Sequence, residues 1–446
     1  MSASLARGSR RPALSVLRRL RRSGFKAYFA GGCVRDHLMG REPSDYDVAT
    51  SARPRELLRL FPKALSVGAK FGVIVVVEGK AHVEVATFRG ESAYKDGRHP
   101  SRVFWSDERR DALRRDFTIN GMFWDPVRDE ILDCVGGKKD LALGVIRCIG
   151  SPQRRFREDK LRMVRAIRFA CRFGYRLERE TESAIERLAP SIRVVSAERL
   201  RDELSRILTS PGHRRAFEEM SRLGLLKVIL PEIESLRGAP QGRTLHPEGD
   251  VFHHAMLAIE FLRNPSPALG WAALFHDVGK PEAFRKSADG FAHHERIGEE
   301  SARNVCQRLK FSNDQAERIA YLVRNHMYLL QATSMRSATL KRLFSRPEYE
   351  ELAELHRADA LASGGSLTNY VFCQRSYQKF IEEGKAPRPL INGHDLIAMG
   401  LKPGPVFREI LEAVREKQFD GEIKTKPSAL QLARKIATTR GILTRK

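Results

Sequence analysis

Residues 31–50 read GGCVRDHLMGREPSDYDVAT, and few stretches of twenty residues restrict a fold so tightly. Two adjacent glycines permit a turn that side chains would block, and Arg35 and Asp36 follow at once. Ahead of the glycines, FKAYFA has the composition of a short strand, and YDVAT alternates like a second one. In a strand, residues i and i+2 face the same way. Asp45 and Asp47 are therefore expected side by side at one strand end. Two carboxylates that close repel, and a divalent cation relieves the repulsion. Hard oxygen ligands select Mg2+ or Mn2+. Two such ions can activate an attacking hydroxyl and stabilise a leaving oxygen at phosphorus. Gly31 and Gly32, at a strand-to-helix turn, offer bare N–H groups to phosphates, with Arg35 adding a fork of donors.

The surrounding pattern predicts an α+β chain. ALSVLRRLRRSG has apolar residues at helical spacing and stops at Gly24. PRELLRLF reads as a helix, and FGVIVVVEGKAHVEVATFR as a hairpin turning at EGK. The β-rich zone closes near Gly150, giving a mixed α/β head. From SPQRRFREDKLRMVRAIRFACRF onward the pattern is almost entirely helical, broken at GHRR, RGAPQGRTLHPEGD and SADG.

Charge narrows the partners. Lys and Arg total 79 against 55 Asp and Glu, a formal net charge of +24. The basic residues cluster, as in RGSRRPALSVLRRLRRSG and RRFREDKLRMVRAIRFACRFGYR. Such clusters point to a polyanion, nucleic acid first. The six cysteines (Cys33, Cys134, Cys148, Cys171, Cys306 and Cys373) form no C-x-x-C pair, which excludes a disulfide framework and a zinc ribbon. No apolar run is longer than that of VIVVV, which is too short to span a bilayer. No membrane association and a cytoplasmic location are expected.

Three later blocks carry related chemistry: EVATFR (84–89), RRDFTING (114–121) and REDKLRMVRAIRFA (157–170). Arg115 and Asp116 place a phosphate-seeking cation beside an acceptor for ribose hydroxyls. In EDKLRMVRAIR, read as one helix, Asp159, Arg162, Arg165 and Arg168 recur every third residue and form one ridge, whose plain reading is a solvated basic face. Leu161, Val164, Ile167 and Cys171 fall on another side and can enter the core.

The ordered array G-G-x-V-R-D, then G, then D-x-D-x-x-T, followed by these blocks, resembles the nucleotidyltransferase superfamily, specifically class II tRNA nucleotidyltransferases and bacterial poly(A) polymerases. The resemblance implies a polymerase beta-like head with catalytic, metal-holding Asp45 and Asp47 and Mg2+ as cofactor. It implies that Gly32, Arg35, Arg115, Asp116, Arg165 and Arg168 surround the nucleotide, while Asp159 and Arg162 read the incoming base. The implied reaction builds the 3′-terminal CCA of tRNA from CTP and ATP without a nucleic-acid template. Poly(A) polymerase, or an enzyme adding only C or only A, is the alternative within the same chemistry. The segment YKDGRHPSRVFW looks like the tRNA enzymes.

A second constellation lies downstream in DVFHHAMLAIE, WAALFHDVGKPEAF, AHHERIGEE, VRNHM and LHRADALAS. His276-Asp277, with a His about twenty residues before and an Asp about eighty after, resembles the HD metal-dependent phosphohydrolases. That likeness implies His254, His276, Asp277 and Asp359 as core metal ligands, with His294 and His326 as the extra histidines of two-metal members. His253 and His293 are adjacent alternatives. A transition metal such as Mn2+ or Ni2+ suits the set. A second His-Asp pair, His394-Asp395 in NGHDL, reads only as a helix start. The expected organisation is an N-terminal basic helix (1–24), a nucleotidyltransferase head (25–150), a helical RNA-binding neck (151–240), an HD domain (241–365) and a helical tail (366–446). A rival reading makes the chain an HD phosphohydrolase whose head only binds RNA.

Overall fold

In the computed structural model of the chain, which describes residues 10–66, 72–91, 103–239, 249–286, 291–383, 389–401, 403–419 and 421–440, helix α1 (Arg10–Arg22) turns Ala13, Val16, Leu17 and Leu20 inward. Spacings of three and four put these residues on one face. They share a core with Phe29, Val48, Ile74, Val76, Val83 and Val85. The basic helix therefore supplies part of the head's interior. Each such buried Val or Leu is worth about 1.5–3 kcal/mol, so Leu17→Ala is the single change expected to loosen this face most.

The chain forms two compact units, Met1–Glu234 and Ser235–Lys446. The first unit runs through β1 (Ala27–Ala30), α2 (Gly32–Leu38), β2 (Asp47–Thr50), α3 (Pro54–Leu60), β3 (Val73–Glu78), β4 (Ala81–Thr87), β5 (Arg89–Glu91), β6 (Val103–Trp105) and α4 (Glu108–Leu113). It continues with β7 (Phe123–Asp125), β8 (Glu130–Leu132), α5 (Gly137–Ala142), β9 (Val145–Ile146), α6 (Pro152–Glu158), α7 (Leu161–Phe173) and β10 (Arg176–Leu177). Helices α8 (Arg179–Leu188), α9 (Ala197–Leu208), α10 (His213–Arg222), α11 (Leu225–Ile229) and α12 (Pro231–Glu234) complete it.

Six strands make a mixed sheet in the order β3-β4-β2-β1-β7-β8. The β3–β4 hairpin turns at Gly79-Lys80, and β2 runs parallel to β4. Alternation separates two faces. Tyr46, Val48, Val83 and Val85 lie in the core that α1 covers, whereas Ala30, Ala49, Phe88 and Phe123 form a cluster on the other face.

One expectation gains a detail and another changes. The region after Gly150 is almost entirely helical, with the two-residue strand β10 paired in parallel to β9. The stretch read as one helix through Asp159 is broken: α6 stops at Glu158, Asp159 is extended at φ −149 and ψ 106, and α7 starts at Leu161. The Asp159 side chain explains the break, since its Oδ1 accepts the Leu161 N–H at 3.1 Å, a local bond that competes with helix continuation. Most of YKDGRHPSRVFW, all of SADG and part of RGAPQGRTLHPEGD lie outside the described residues.

The second unit contains α13 (Val251–Glu260), α14 (Pro267–Phe275), α15 (Lys280–Lys286), α16 (His294–Arg308), α17 (Asn313–Asn325), α18 (Ser337–Phe344), α19 (Tyr349–Ala362) and α20 (Thr368–Glu382). Then come α21 (Gly393–Ala398), α22 (Pro405–Phe419) and α23 (Lys426–Thr439). Helix α14 is buried all the way from Leu269 to Phe275, as its unbroken apolar run requires. The last three helices have their own core, with Leu396, Ile410 and Val414 against Ala429, Ala433 and Ala437. His394-Asp395 does open a helix: Asn392 caps both of their amides, and Asp395 returns a bond to the Asn392 N–H at 2.8 Å.

Candidate active site and candidate metal centre

The register of β1 on β2 builds the first site. Ala30 pairs with Asp47, so the acid stands opposite the residue that leads into Gly31-Gly32. Gly31 has φ 74, and a Cβ there would lie 3.2 Å from Arg115 Nη1. The glycine is needed both for the turn and for the guanidinium against it. Gly32 begins α2 without that constraint. Asp45 is not within the paired strand, which starts at Asp47, yet the alternation extends to it. Tyr46 is buried against Phe29, and Asp45 and Asp47 point away from that core. Burial first, and then the Asp47 carboxylate with Asp45 adding, pushes the Cys33 thiol up to about 12, so both acids act on the first turn of α2.

A neighbouring acid escaped the sequence reading. Val48 pairs with Val85 in parallel, which sets Asp47 level with Glu84 on the next strand. Both are exposed while Val48 and Val85 are buried, so they share a face. The signal was present in EVATFR, whose alternation puts Glu84 opposite its valines; the missing information was the strand order.

The arginines do not form a solvated stripe. Arg162 Nη1 donates to Glu158 at 3.1 Å, Arg165 Nη2 to Asp116 at 2.7 Å, and Arg168 Nε to Glu203 of α9. Arg168 is 7% exposed. Phe169 and Ala170 are buried as well, so α7 is packed on nearly every side and its cations need carboxylate partners. Arg115 pairs with Asp111 at 3.1 Å and not with its neighbour Asp116. Asp116 instead accepts from Arg165 and from Asn120 Nδ2, and Asn120 Oδ1 receives Arg35 Nη1 at 2.7 Å. Arg35 also grips Asp36 and lies 5% exposed over the Phe173 ring. Burial works to raise the Asp116 pKa, but the Arg165 guanidinium outweighs it and holds the carboxyl at about 2. Asp159, off the helix, is held by Arg199 of α9 at 2.7 Å. Asn120, Glu158, Arg199 and Glu203 were not singled out in the sequence. Glu203 and Arg199 sit some forty residues from their partners, where no spacing rule reaches.

In the second unit six side chains converge. His254 Nε2 lies 3.0 Å from Asp359 Oδ1 and 3.1 Å from His276 Nε2. His294 Nε2 lies 3.3 Å from Asp277 Oδ1 and 3.3 Å from His326 Nε2. His254, His276 and Asp359 make one group able to hold an ion, and Asp277, His294 and His326 another. Of the adjacent alternatives, His293 is an exposed residue at φ 62, and His253 takes no part in either group.

The donor set fits divalent metal ions. His276, His294 and His326 turn Nδ1 to the carbonyls of Ala273, Phe291 and Val323 at 2.7–2.8 Å. A carbonyl only accepts, so Nδ1 carries the hydrogen and the neutral ring keeps its lone pair at Nε2. The Nε2 lone pairs of His294 and His326 then face each other, an arrangement that a cation satisfies. Burial and then the neighbouring His276 push His326 down to about 4. At His276 burial is outweighed by the Asp277 carboxylate, which pushes the ring up to about 9, so a metal ion taken up there displaces a proton from Nε2 and leaves the neutral ring. Gly279 lets this happen sterically, because the start of α16 passes directly over it.

Comparison with known proteins follows the same division. Three family models match in order: "Poly A polymerase head domain" over residues 27–147, "Probable RNA and SrmB- binding site of polymerase A" over 174–236, and "HD domain" over 251–364. A CCA-adding enzyme of Streptococcus suis is 29% identical over 94% of both chains. The chain carries the poly(A) polymerase head, RNA-binding and HD domains in that order, and its curated relatives are CCA-adding enzymes. A CCA-adding enzyme of Geobacillus kaustophilus is 42% identical over 51% of this chain, a match spanning 57% of that relative's length. The crystal structure of the Bacillus stearothermophilus CCA-adding enzyme with CTP superposes with a TM-score of 0.73 at 26% identity, covering 97% of this chain and 99% of that one. Among the described residues, no helix is long and apolar enough to cross a membrane.

Proposed function

We propose that the protein completes the 3′-terminal CCA of tRNA, adding C, A or both from CTP and ATP without a template. The observation that carries this reading is the strand register that sets Asp47 opposite Ala30, beside the Gly31-Gly32 turn, with Asp45 on the same face. In the reaction the RNA 3′-oxygen bonds to the α-phosphorus, the bond to the β-phosphate bridge breaks, and pyrophosphate leaves. Asp45 and Asp47, with Glu84 level beside them, would hold Mg2+, which when bound neutralises phosphate charge and lowers the pKa of the attacking hydroxyl. The Gly31-Gly32 turn leaves room for phosphates, and Arg115 brings a cation to it. Asp116, ionised and oriented by Arg165, is the acceptor for a ribose hydroxyl. Gly32, Arg35, Arg165 and Arg168 frame the nucleotide: Arg35 and Arg168 from within the packed wall, Arg165 through Asp116. Asp159 and Arg162 meet the base edge. The net charge of +24 suits a tRNA partner. CTP-bound and ATP-bound structures exist for the CCA-adding enzymes that this fold resembles.

The test is incubation with tRNA ending at the discriminator base, in C or in CC, with labelled CTP or ATP. Addition of the missing residues to each supports the reading; long A tracts would move the assignment to poly(A) polymerase.

A second reading has its own observation, the six converging side chains of the second unit, which form two groups able to hold an ion. They support a phosphohydrolase site using a transition metal such as Mn2+ or Ni2+ and acting on terminal or 2′,3′-cyclic phosphates at RNA ends. Such phosphates block nucleotide addition, so clearing them would prepare the substrate of the first site.

A further inference from the structure

The break between α6 and α7 leaves Asp159 dependent on a residue far away in sequence. Its Oδ1 accepts the Leu161 N–H at 3.1 Å, and its Oδ2 accepts Arg199 Nη2 at 2.7 Å. One bond fixes each oxygen, so the plane of the carboxylate is set and a lone pair on each oxygen is still free to accept. Helix α9, which supplies Arg199, also supplies Glu203 to Arg168 four residues later. It thus reaches both ends of the 159–168 stretch. The Arg199 side chain is 23% exposed and Asp159 18%, so the pair lies at the margin of the packed region and not inside it.

From this geometry we infer that Arg199 is a positioning residue for base choice, acting through Asp159. The inference rests on the proposed role of Asp159 at the base edge. Cytosine and adenine present an amino group where uracil and guanine present a carbonyl oxygen. A carboxylate accepts from the amino group and repels the carbonyl. That selection works only if the carboxylate is aimed. A guanidinium at 2.7 Å aims it, because a charge-assisted bond to one oxygen and the Leu161 N–H on the other allow few orientations. Without it, Asp159 keeps the Leu161 N–H on one oxygen and can swing about that contact. The reaction would then continue with all four triphosphates, and amino and carbonyl bases would be told apart less well.

The experiment measures kcat/KM for CTP, ATP, UTP and GTP on tRNA lacking its terminal residues, for wild type, Arg199→Ala, Arg199→Lys and Asp159→Ala. Thermal unfolding checks that each variant folds. Arg199→Ala should lower the CTP/UTP and ATP/GTP ratios by about tenfold, and Arg199→Lys should restore part of them. Combined with Asp159→Ala, Arg199→Ala should lower the ratios no further. Equal slowing with all four triphosphates, or ratios unchanged in Arg199→Ala while Asp159→Ala loses them, would overturn the positioning role alone. Ratios unchanged in Asp159→Ala would overturn the base-edge reading itself, and the inference with it. If Arg199→Ala does not fold, the comparison is made with Arg199→Lys, where ratios equal to wild type overturn the inference.

Discussion

A Cβ on Gly279 would stand 2.1 Å from the carbonyl oxygen of His294, closer than any side chain tolerates. It would also lie 2.7 Å from the Gly298 amide nitrogen. Backbone meets backbone here, so the neighbour cannot move aside as a flexible side chain would. Gly279→Ala should push the start of α16 outward and withdraw His294 from Asp277. We expect a stability loss of about 1–3 kcal/mol and metal affinity lower by about 10–100-fold. Metal content after dialysis against Mn2+ is the measurement, and wild-type stoichiometry and affinity would refute the prediction.

Asp116 gives a pH-dependent expectation. Its carboxyl falls from 3.8 to about 2 because Arg165 outweighs burial. A lowered carboxyl pKa contributes stability that is complete above the unfolded value and is lost as pH drops through the folded one. The window is therefore pH 4 down to 2, and the contribution about 2 kcal/mol. In Asp116→Asn, unfolding free energy should be lower near neutrality and flatter across that window. Denaturant titrations at several pH values decide it, and an unchanged slope would assign the pair no such role.

Loss of either acid proposed to hold Mg2+ should separate chemistry from binding. Asp45→Ala and Asp47→Ala are each expected to slow nucleotide addition by about 10³-fold or more. tRNA affinity should be largely kept, since it comes from a dispersed basic surface. A filter-binding titration beside a single-turnover assay reads both. Near wild-type addition by Asp47→Ala would remove this residue from the site.

The two units should also part company chemically. Asp277→Ala is expected to abolish hydrolysis of 2′,3′-cyclic nucleotides while leaving CTP and ATP incorporation within about twofold, because it shares no ligand with the first site. After chelation, Mg2+ alone should restore incorporation. Hydrolysis restored by Mg2+ alone would argue against a transition-metal centre.

Much of the head was legible because its chemistry is local. Gly31 through Asp47 lie within one hairpin-sized stretch, and alternation alone orients the acids even though Asp45 falls outside the paired strand. The histidine cluster was readable through its resemblance to the HD pattern, and the fold does bring those six side chains together. What spacing could not give were long-range partners. Glu84 needed the parallel pairing of β2 and β4. The break at Asp159 was hidden because its cause is one side-chain bond to Leu161 inside an otherwise helical pattern. The buried state of the arginine ridge depended on Asp116 and Glu203, which only the tertiary fold brings near.

The short parallel pair β9–β10 bears on how the first unit can be divided. Val145 and Ile146 are almost fully buried, and their strand partners, Arg176 and Leu177, come from beyond Gly150. A fragment cut at residue 150 would strip β9 of its partner and bare two β-branched residues on an open edge, a template for aggregation. Dissection of the catalytic head is thus better made after Glu234, where the unit itself ends. Recombination between relatives should follow the same seam, exchanging residues up to 234 as one inheritable block and not a head of 150 residues.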